Sequence, residues 1–458
     1  MKYLIGFLFI MVMIGCATKP QPILNKKSDD LNNTVKIKIE VKSEIKIESK
    51  VEIFDLVNFP QTSSAYLNNI DIKKANISQK NYEKNYFRVW NKIPKDSLNS
   101  AMWPFYSYRV GSSYGENFKL IDKSFFDLML KNSNFNHYKS VNKNAITLNH
   151  LNVRAYPTKK SLFKDPSLAG EGFPFDYMQN STVSANKPVF ISHYSEDKEW
   201  AYIFTSFTGG WVKVDELIII EKKYTSIWQK AEQVFLLKDN IAIYDENDTF
   251  LFKSRVGMML PLVGEDKDNY IVLTVSSYKN SKANYHKTKI SKSISHKGIV
   301  NFDNNNLKLV MDEVAKSTYG WGGLFNERDC SSTLRDIYTP FGIWLPRNSA
   351  QQSKIGKVIS LNNLSDEDKL KIIKEKAIPF RTLLYKRGHI LLYVGVYNDE
   401  VIAFHNIWGI RTKHESKEGR IVIAKAVYST LNLGKNQKDY NNEASIIKNL
   451  KSFNILVN

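Results

Sequence analysis

Residues 318–335 read TYGWGGLFNERDCSSTLR, a glycine-rich loop that runs into a helix start around one cysteine. Asp329, Ser331 and Ser332 carry side chains that cap the first turn of a helix. Cys330 is therefore predicted at a helix N-terminus, where the dipole and unpaired backbone amides favour thiolate, the reactive form of cysteine. The same amides could stabilise an oxyanion. The alternative is a buried structural cysteine, which is common for free thiols.

The pattern on both sides of this loop predicts an α+β domain over 305–458. Apolar residues recur at helical spacing before the loop: Leu307, Val310, Met311 and Val314. A second apolar-periodic stretch covers 333–344, and 366–376 has the composition of a charged surface helix. Two apolar runs then predict a β-hairpin.

Two of the eight histidines lie on this predicted hairpin, His389 at the start of its first strand and His405 on the second. An odd-length loop centred near Tyr397 would place them opposite each other on one face, with Cβ atoms about 5 Å apart. One imidazole could then face a thiolate while the other orients it. A two-residue turn at Asn398–Asp399 would instead put them on opposite faces, leaving two histidines without a shared role.

The cysteine count limits the other uses of Cys330. The only other cysteine, Cys16, lies at the extreme N-terminus, so no thiol in the body of the chain can pair with Cys330. One cysteine and two distant histidines lack the short paired spacings of zinc sites. We therefore expect no metal and no cofactor.

Upstream of 305, short alternating runs predict small β-barrels. The clearest runs are 151–158, 188–194, 199–205 and 209–214. A weak repeat of Glu-Asp-Lys followed by Thr, at 196–205 and 265–274, supports a second barrel. Residues 55–140 are aromatic-rich and irregular, which indicates packing. Residues 35–53 fit either a strand or an extended, charge-mixed linker.

The N-terminus has the features of an export signal. Lys2 precedes about a dozen apolar residues, too few for the ~20 of a comfortable membrane span. The run ends in Met-Ile-Gly-Cys and resembles the bacterial lipoprotein signal, which implies cleavage before Cys16 and its lipidation. Ala17 after that cysteine implies sorting to the periplasmic face of the outer membrane. An ordinary signal peptide with an incidental Cys16 is the alternative.

The formal net charge of +19 over 458 residues favours acidic partners such as anionic lipid headgroups or cell-wall polymers. Export and the lack of a dense basic motif argue against nucleic acid. The length predicts several domains. We expect a monomer.

Four motifs together resemble the NlpC-type (NlpC and p-sixty) cell-wall cysteine peptidases. They are Tyr319-Gly320-Trp321-Gly322-Gly323, Asp329-Cys330-Ser331, Gly388-His389-Ile390 and Phe404-His405-Asn406. The resemblance implies a papain-like fold in which Cys330 is the nucleophile, His389 the base and His405 the orienting third member. It also implies that Tyr319, Asp329 and Ser331 bind substrate, with Asp329 pairing with a free N-terminal ammonium.

Upstream motifs look like a bacterial SH3-like domain: Asn152-Val153-Arg154 to Pro157-Thr158, Gly172-Phe173-Pro174-Phe175-Asp176-Tyr177 and Gly210-Trp211-Val212. A subset of the family carries two such domains behind an N-terminal stabilising region. The resulting domain prediction is a signal peptide at 1–15, a lipidated tether at 16–54, a stabilising region at 55–144, SH3-like barrels at 145–220 and 228–300, and a catalytic domain at 305–458.

The resemblance implies hydrolysis of peptidoglycan stem peptides, commonly between γ-D-glutamate and meso-diaminopimelate. The residues by themselves indicate only Cys/His acyl transfer. Two other functions therefore remain open: a non-catalytic peptidoglycan-binding lipoprotein, and an amidase or acyltransferase that uses the same Cys-His site.

Overall fold

The computed structural model describes residues 52–457 apart from 69, 74 and 279–281. Cys16, the predicted signal peptide and nearly all of the predicted tether lie outside the described residues. Of the tether, Ile53 is described and is buried against the sheet of the C-terminal domain. In the part of the chain that the structure describes, no helix is long and apolar enough to cross a membrane.

The N-terminal region consists of short helices joined by loops. Their bounds are α1 Phe54–Asn58, α2 Ser64–Leu67, α3 Gln79–Tyr86, α4 Arg88–Asn91, α5 Leu98–Ala101, α6 Trp103–Ser107 and α7 Lys123–Asn132. Aromatic side chains of α3 and α4 are buried against the sheet that follows. Trp90 shows how closely they pack, because its indole Nε1 donates to the carbonyls of Ala145 and Val189 at 3.3 and 3.0 Å.

The first SH3-like domain is a seven-stranded antiparallel sheet in the order β3-β2-β6-β5-β4-β1-β7. Its strands are β1 Lys143–Thr147, β2 Leu151–Arg154, β3 Gln179–Val183, β4 Pro188–Tyr194, β5 Trp200–Phe204, β6 Gly209–Lys213 and β7 Leu217–Ile219. The four alternating runs correspond to β2, β4, β5 and β6, which confirms those predictions, whereas β1, β3 and β7 were not predicted. The core is aliphatic, with Val153, Val189, Ile203 and Val212 fully buried.

The second SH3-like domain follows helix α8 (Lys222–Lys230). It has a five-stranded sheet in the order β13-β12-β11-β8-β14 and a separate β9-β10 pair. The strands are β8 Gln233–Leu236, β9 Ala242–Tyr244, β10 Phe250–Lys253, β11 Met259–Glu265, β12 Asn269–Tyr278, β13 Lys282–Ser291 and β14 Ser295–Lys297. The α+β class and the order of domains predicted from the sequence are confirmed.

The C-terminal domain packs helices against a six-stranded sheet in the order β15-β20-β16-β17-β18-β19. Its helices are α9 Asn304–Val314, α10 Cys330–Tyr338, α11 Ser349–Gln352, α12 Asp366–Lys376 and α13 Ile446–Asn449. Its strands are β15 Lys357–Ser360, β16 Thr382–Lys386, β17 His389–Tyr397, β18 Glu400–His414, β19 Lys417–Thr430 and β20 Leu450–Ile455. The predicted helices at α9 and α12 are confirmed. One face of the sheet packs on α9 and α10, and the other on α12 and the C-terminal segment.

The β17–β18 hairpin has the two-residue turn, the second of the two possibilities that the sequence left open. Tyr397 pairs with Glu400, so the turn is Asn398 and Asp399, which both have positive φ, as a tight hairpin turn requires. A β-bulge between Tyr393 and Gly395 then shifts the register by one residue. The inference that this turn puts His389 and His405 on opposite faces was wrong, because the bulge returns the two residues to the same face.

A buried ionic network joins the second SH3-like domain to the C-terminal domain. Asp336 of α10 accepts from Nε of both Arg255 and Arg328, each at 2.9 Å. Arg328 also donates to both carboxylate oxygens of Asp239, at 2.6 and 2.9 Å. Burial alone would raise the pKa of Asp336, but the surrounding guanidinium groups lower it to about 2. The second SH3-like domain is thus anchored to the helix that begins at Cys330.

Candidate active site

The helix that carries Cys330 begins with a reciprocal cap. Asp329 Oδ1 accepts from the backbone N–H of Ser332 at 2.7 Å, and the Ser332 hydroxyl accepts from the backbone N–H of Asp329 at 2.9 Å. Such a capping box satisfies two otherwise unpaired amides and fixes where the helix starts. Cys330 is the first residue of α10, which confirms the predicted helix N-terminus.

Asp329 and Ser331 are held by Arg347, which the sequence did not single out. Arg347 Nη2 donates to Asp329 Oδ2 at 2.7 Å, and Nη1 donates to the Ser331 hydroxyl at 2.8 Å. Burial alone would raise the pKa of Asp329, but Arg347 and the hydrogen bonds from Ser332 and Ser331 hold it below its usual value. Asp329 was expected to pair with a substrate ammonium. In the structure its carboxylate already pairs with the guanidinium group of Arg347.

The two hairpin histidines are in contact. His389 Nε2 and His405 Nδ1 are 2.8 Å apart, and His405 Nε2 is 2.9 Å from the Ser429 hydroxyl. That hydroxyl donates its one hydrogen to the carbonyl of Thr430 at 2.9 Å. Toward His405 Nε2 it must therefore be the acceptor of the hydrogen bond. We therefore assign Nε2–H to His405, which makes its Nδ1 an acceptor for Nε2–H of His389. His389 Nδ1 is left with a free lone pair, as a general base requires.

Cys330 lies against the start of the strand that carries His389. The backbone N–H of Ile390 reaches the Cys330 thiol and lowers its pKa, but burial and the Asp329 carboxylate have larger effects and raise that pKa to about 12. Burial, with His405 and Lys386, lowers the pKa of His389 well below its usual value. The backbone N–H of Ser331 at the helix start does lower the pKa of Cys330, as expected, but burial and Asp329 outweigh it, so the thiol and the imidazole are both neutral at rest.

Cys330 opens onto a cavity of about 610 Å³. Tyr319, Asp329, Ser331 and Arg347 line it with Cys330. The remaining wall comes from upstream domains through aromatic residues: Trp103, Tyr108, Tyr177, Tyr202, Phe204 and Phe207. Burial, together with the Asp329 carboxylate, raises the pKa of Tyr319 well above its usual value, so its hydroxyl stays protonated. The cavity combines one thiol, several hydrogen-bonding groups and an apolar wall.

The glycines before Cys330 bring the first SH3-like domain against the site. Gly322 and Gly323 have φ of +59° and +87°, a region that favours glycine. A Cβ on Gly323 would lie 2.1 Å from Thr182 Oγ1, whose hydroxyl donates to the Gly323 carbonyl at 2.6 Å. Arg347 Nε also donates to the Ser181 hydroxyl on the same strand, β3, at 2.7 Å. Strand β3 therefore supports the loop and the arginine that position Cys330.

Sequence reasoning missed several residues of this site. Arg347 follows Pro346 without any motif, and Ser429 lies in an unremarkable strand. Trp408 contacts Tyr319 with ring centroids 5.9 Å apart. Gln352 donates to the Ser331 carbonyl at 2.8 Å. These residues meet at the site although they are far apart in sequence, so no local motif marks them. For the residues on β18 and β19, the alternation of side chains along each strand could have indicated which ones share the face of His405.

Among the described residues, no group of three or more His, Cys, Asp or Glu side chains is arranged to hold a metal ion. The site itself offers a thiol at a helix start, a base of assigned tautomer and backbone amides.

Four family models match the chain. They are the NLPC_P60 stabilising domain (residues 5–138), an SH3 domain of SH3b1 type (161–213), an SH3 domain of SH3b2 type (222–267) and the NlpC/P60 family (316–425). The last match contains Cys330, His389 and His405. No curated protein is significantly similar in sequence.

One of the similar solved structures has the same fold over most of the chain. An NlpC/P60 endopeptidase from Photobacterium damselae subsp. piscicida is 23% identical and has a TM-score of 0.73, over 87% of this chain and 97% of that chain. An NlpC/P60 family protein from Bacillus cereus is 16% identical with a TM-score of 0.41, over 61% of this chain and 82% of that chain. The four family matches therefore identify an NlpC/P60 domain behind an NLPC_P60 stabilising domain and two bacterial SH3 domains, and they support a cysteine peptidase that hydrolyses peptidoglycan.

Proposed function

We propose that the protein is an endopeptidase that cleaves the γ-D-glutamyl–meso-diaminopimelate bond of peptidoglycan stem peptides. The observation that carries the proposal is the hydrogen-bonded row His389–His405–Ser429, which begins on the strand whose Ile390 backbone N–H reaches the Cys330 thiol. The aromatic wall, to which the first SH3 domain contributes, is consistent with a bound wall peptide.

In the proposed reaction, Cys330 is the nucleophile and His389 the general base. Because both groups are neutral at rest, the proton moves from the thiol to His389 Nδ1 as the sulfur attacks the carbonyl carbon. Backbone amides at the start of α10 stabilise the oxyanion. The protonated His389 then gives its proton to the leaving amine, and a water hydrolyses the thioester, restoring the thiol.

His405 is the orienting member of the proposed triad. Burial lowers its pKa to about 3, so it stays neutral and cannot take the proton from His389. It acts instead by accepting from Nε2–H of His389, which stabilises the imidazolium formed during the reaction. Tyr319 and Ser331 are proposed to contact the substrate, and Asp329 to hold Arg347 in place.

The test uses defined muropeptides and mass spectrometry of the products. We expect the wild-type protein to release a peptide with diaminopimelate at its new N-terminus, and Cys330→Ala and His389→Ala to release none. His414→Ala is the matched control, because His414 lies on β18 with its side chain 64% exposed. Cleavage by Cys330→Ala would remove the thiol from the mechanism. A product cut at another amide would favour the amidase alternative, and absence of cleavage by the wild type would favour a binding protein.

We also propose that the protein acts as a monomer anchored by lipid on Cys16, at the periplasmic face of the outer membrane. The support is the sequence Met-Ile-Gly-Cys-Ala alone. Mass spectrometry of the mature N-terminal peptide tests it. A diacylglyceryl-modified cysteine is expected, and an unmodified N-terminus that begins after residue 16 would contradict it.

A further inference from the structure

A second cavity lies on the sheet face that carries the two histidines. It has a volume of about 420 Å³ and is bounded by strands β16, β18 and β19 and by the segment after β19. Lys386, Arg411 and Arg420 line it, and we call these three residues the basic pocket. Lys386 is the cross-strand partner of His389, so the two side chains project from the same face of the sheet.

The positive charge of the basic pocket is only partly balanced, because the carboxylates of Glu418 and Glu171 act on Arg420 without forming a salt bridge with it. Within the described residues, none of its three side chains forms a salt bridge, although Glu418 and Glu443 also line the cavity. Glu443 is paired with Lys448 at 2.5 Å. Arg420 donates from Nη2 to the Ala169 carbonyl, but its Nε is buried with no hydrogen-bond partner among the described residues.

The arrangement of these cations is unfavourable unless an anion joins them. Arg411 and Arg420 are directly opposite each other in the β18–β19 ladder, where like charges destabilise a sheet. Burial lowers the pKa of Lys386, and Arg411 and Arg420 lower it further. Two guanidinium groups and an ammonium around one cavity provide the geometry that carboxylates bind best.

The position of the basic pocket relative to Cys330 and His389 indicates which part of a substrate would reach it. The cavity around Cys330, Tyr319 and Arg347 lies on the side of the nucleophile, where the acyl half stays bound as the thioester. Lys386 lies beyond His389, the residue proposed to protonate the leaving amine. An amine half that leaves past His389 would come next to Lys386, because the two residues are cross-strand partners.

We propose that the basic pocket binds the carboxylates of the amine half of the stem peptide. This inference rests on the proposed function, because only that reaction gives His389 a leaving amine. The ligand class is a short peptide that begins with a diamino dicarboxylic acid and bears one or more free carboxylates. The pocket would thus select the leaving half, independently of the groups that surround Cys330.

The first experiment measures binding without catalysis. The probe is the dipeptide meso-diaminopimelyl-D-alanine, titrated calorimetrically into the full chain carrying Cys330→Ala. We expect Lys386→Gln and Arg411→Gln, each added to Cys330→Ala, to weaken binding about tenfold, as expected for loss of one charged hydrogen-bonding partner. Lys413→Gln is the matched control, since Lys413 is exposed on β18 and outside the cavity. Equal binding by all of these proteins, or by the dipeptide with amidated carboxylates, would overturn the proposal.

The second experiment separates this inference from the proposed function. Two muropeptides that differ only in amidation of the diaminopimelate and D-alanine carboxylates are cleaved by wild type and by Arg411→Gln. We expect amidation to raise KM about tenfold for the wild type and much less for Arg411→Gln. Cleavage with no such difference overturns the basic pocket as a subsite and leaves the endopeptidase standing. Absence of cleavage with dipeptide binding that depends on Arg411 overturns the endopeptidase and leaves an anion site.

Discussion

Asp336→Asn is predicted to destabilise the protein without touching the cavity of Cys330. Asp336 is 6% exposed and accepts from Arg255 and Arg328, so an amide in its place leaves two buried guanidinium groups undercompensated. Breaking a buried ion pair by removing one partner costs about 3–5 kcal/mol. Because Arg328 keeps Asp239, we expect the lower end, about 3 kcal/mol.

The pKa of Asp336 gives a second estimate. A pKa lowered from 3.8 to about 2 corresponds to about 2 kcal/mol of stabilisation of the charged form in the folded state. Since the folded pKa is depressed, this contribution is present above about pH 4 and is lost as the pH falls from about 4 to 2. The variant lacks that contribution at every pH. The difference in unfolding free energy between wild type and variant should therefore decrease as the pH falls over the same range.

The measurement is thermal unfolding followed by circular dichroism at pH 7. A unit of about 400 residues unfolds with an entropy of roughly 0.8 kcal/mol/K, so 3 kcal/mol lowers Tm by about 4 °C. Asp127→Asn is the matched control, because Asp127 is 59% exposed in its pair with Lys123 and such a pair contributes less than about 1 kcal/mol. If Asp336→Asn lowers Tm no more than Asp127→Asn does, the network between the second SH3 domain and α10 does not stabilise the fold.

Three shorter predictions concern the site itself. Ser429→Ala removes the acceptor that fixes the tautomer of His405, so kcat should fall about fivefold to tenfold while Ser429→Thr retains activity; an unchanged kcat would contradict the assigned protonation. Gly323→Ala places a Cβ 2.1 Å from Thr182 Oγ1 at positive φ, and should cost about 1–3 kcal/mol in urea unfolding, whereas Gly388→Ala, at positive φ in open space, should cost less. Because burial raises the pKa of Cys330 to about 12, its alkylation by iodoacetamide should keep accelerating above pH 9, and a plateau near pH 7 would refute the neutral resting thiol.

Local patterns predicted the elements but not the register between them. The capping residues around Cys330 and the spacing of Leu307 and Val310 report on helices of their own segment, and both helices form where expected. The facing of His389 and His405 depends on the whole hairpin. Its expectation relied on an odd loop, whereas a tight Asn398–Asp399 turn and a bulge together produce the same face.

The bulge had a signal that the periodicity argument did not use. Gly395 interrupts an otherwise apolar strand and has φ of +125°, and an isolated glycine inside a strand commonly marks a bulge. Partners contributed by distant segments had no comparable signal. Arg347, Ser429 and Lys386 reach the site only because the sheet and the loop after α10 bring them there, so single-segment reasoning cannot identify them.

The contact between strand β3 and the loop at Gly322–Gly323 limits how the domains of this protein can be exchanged with those of another. Gln179 and Thr182 both donate to carbonyls of that loop, so a foreign domain at this place would need a strand of the same shape. Strand β3 and the loop would therefore have to be exchanged together. Chimaeras with a junction before residue 179 or after residue 323 would take both from one parent, whereas a junction between residues 183 and 322 would separate the nucleophile loop from its support.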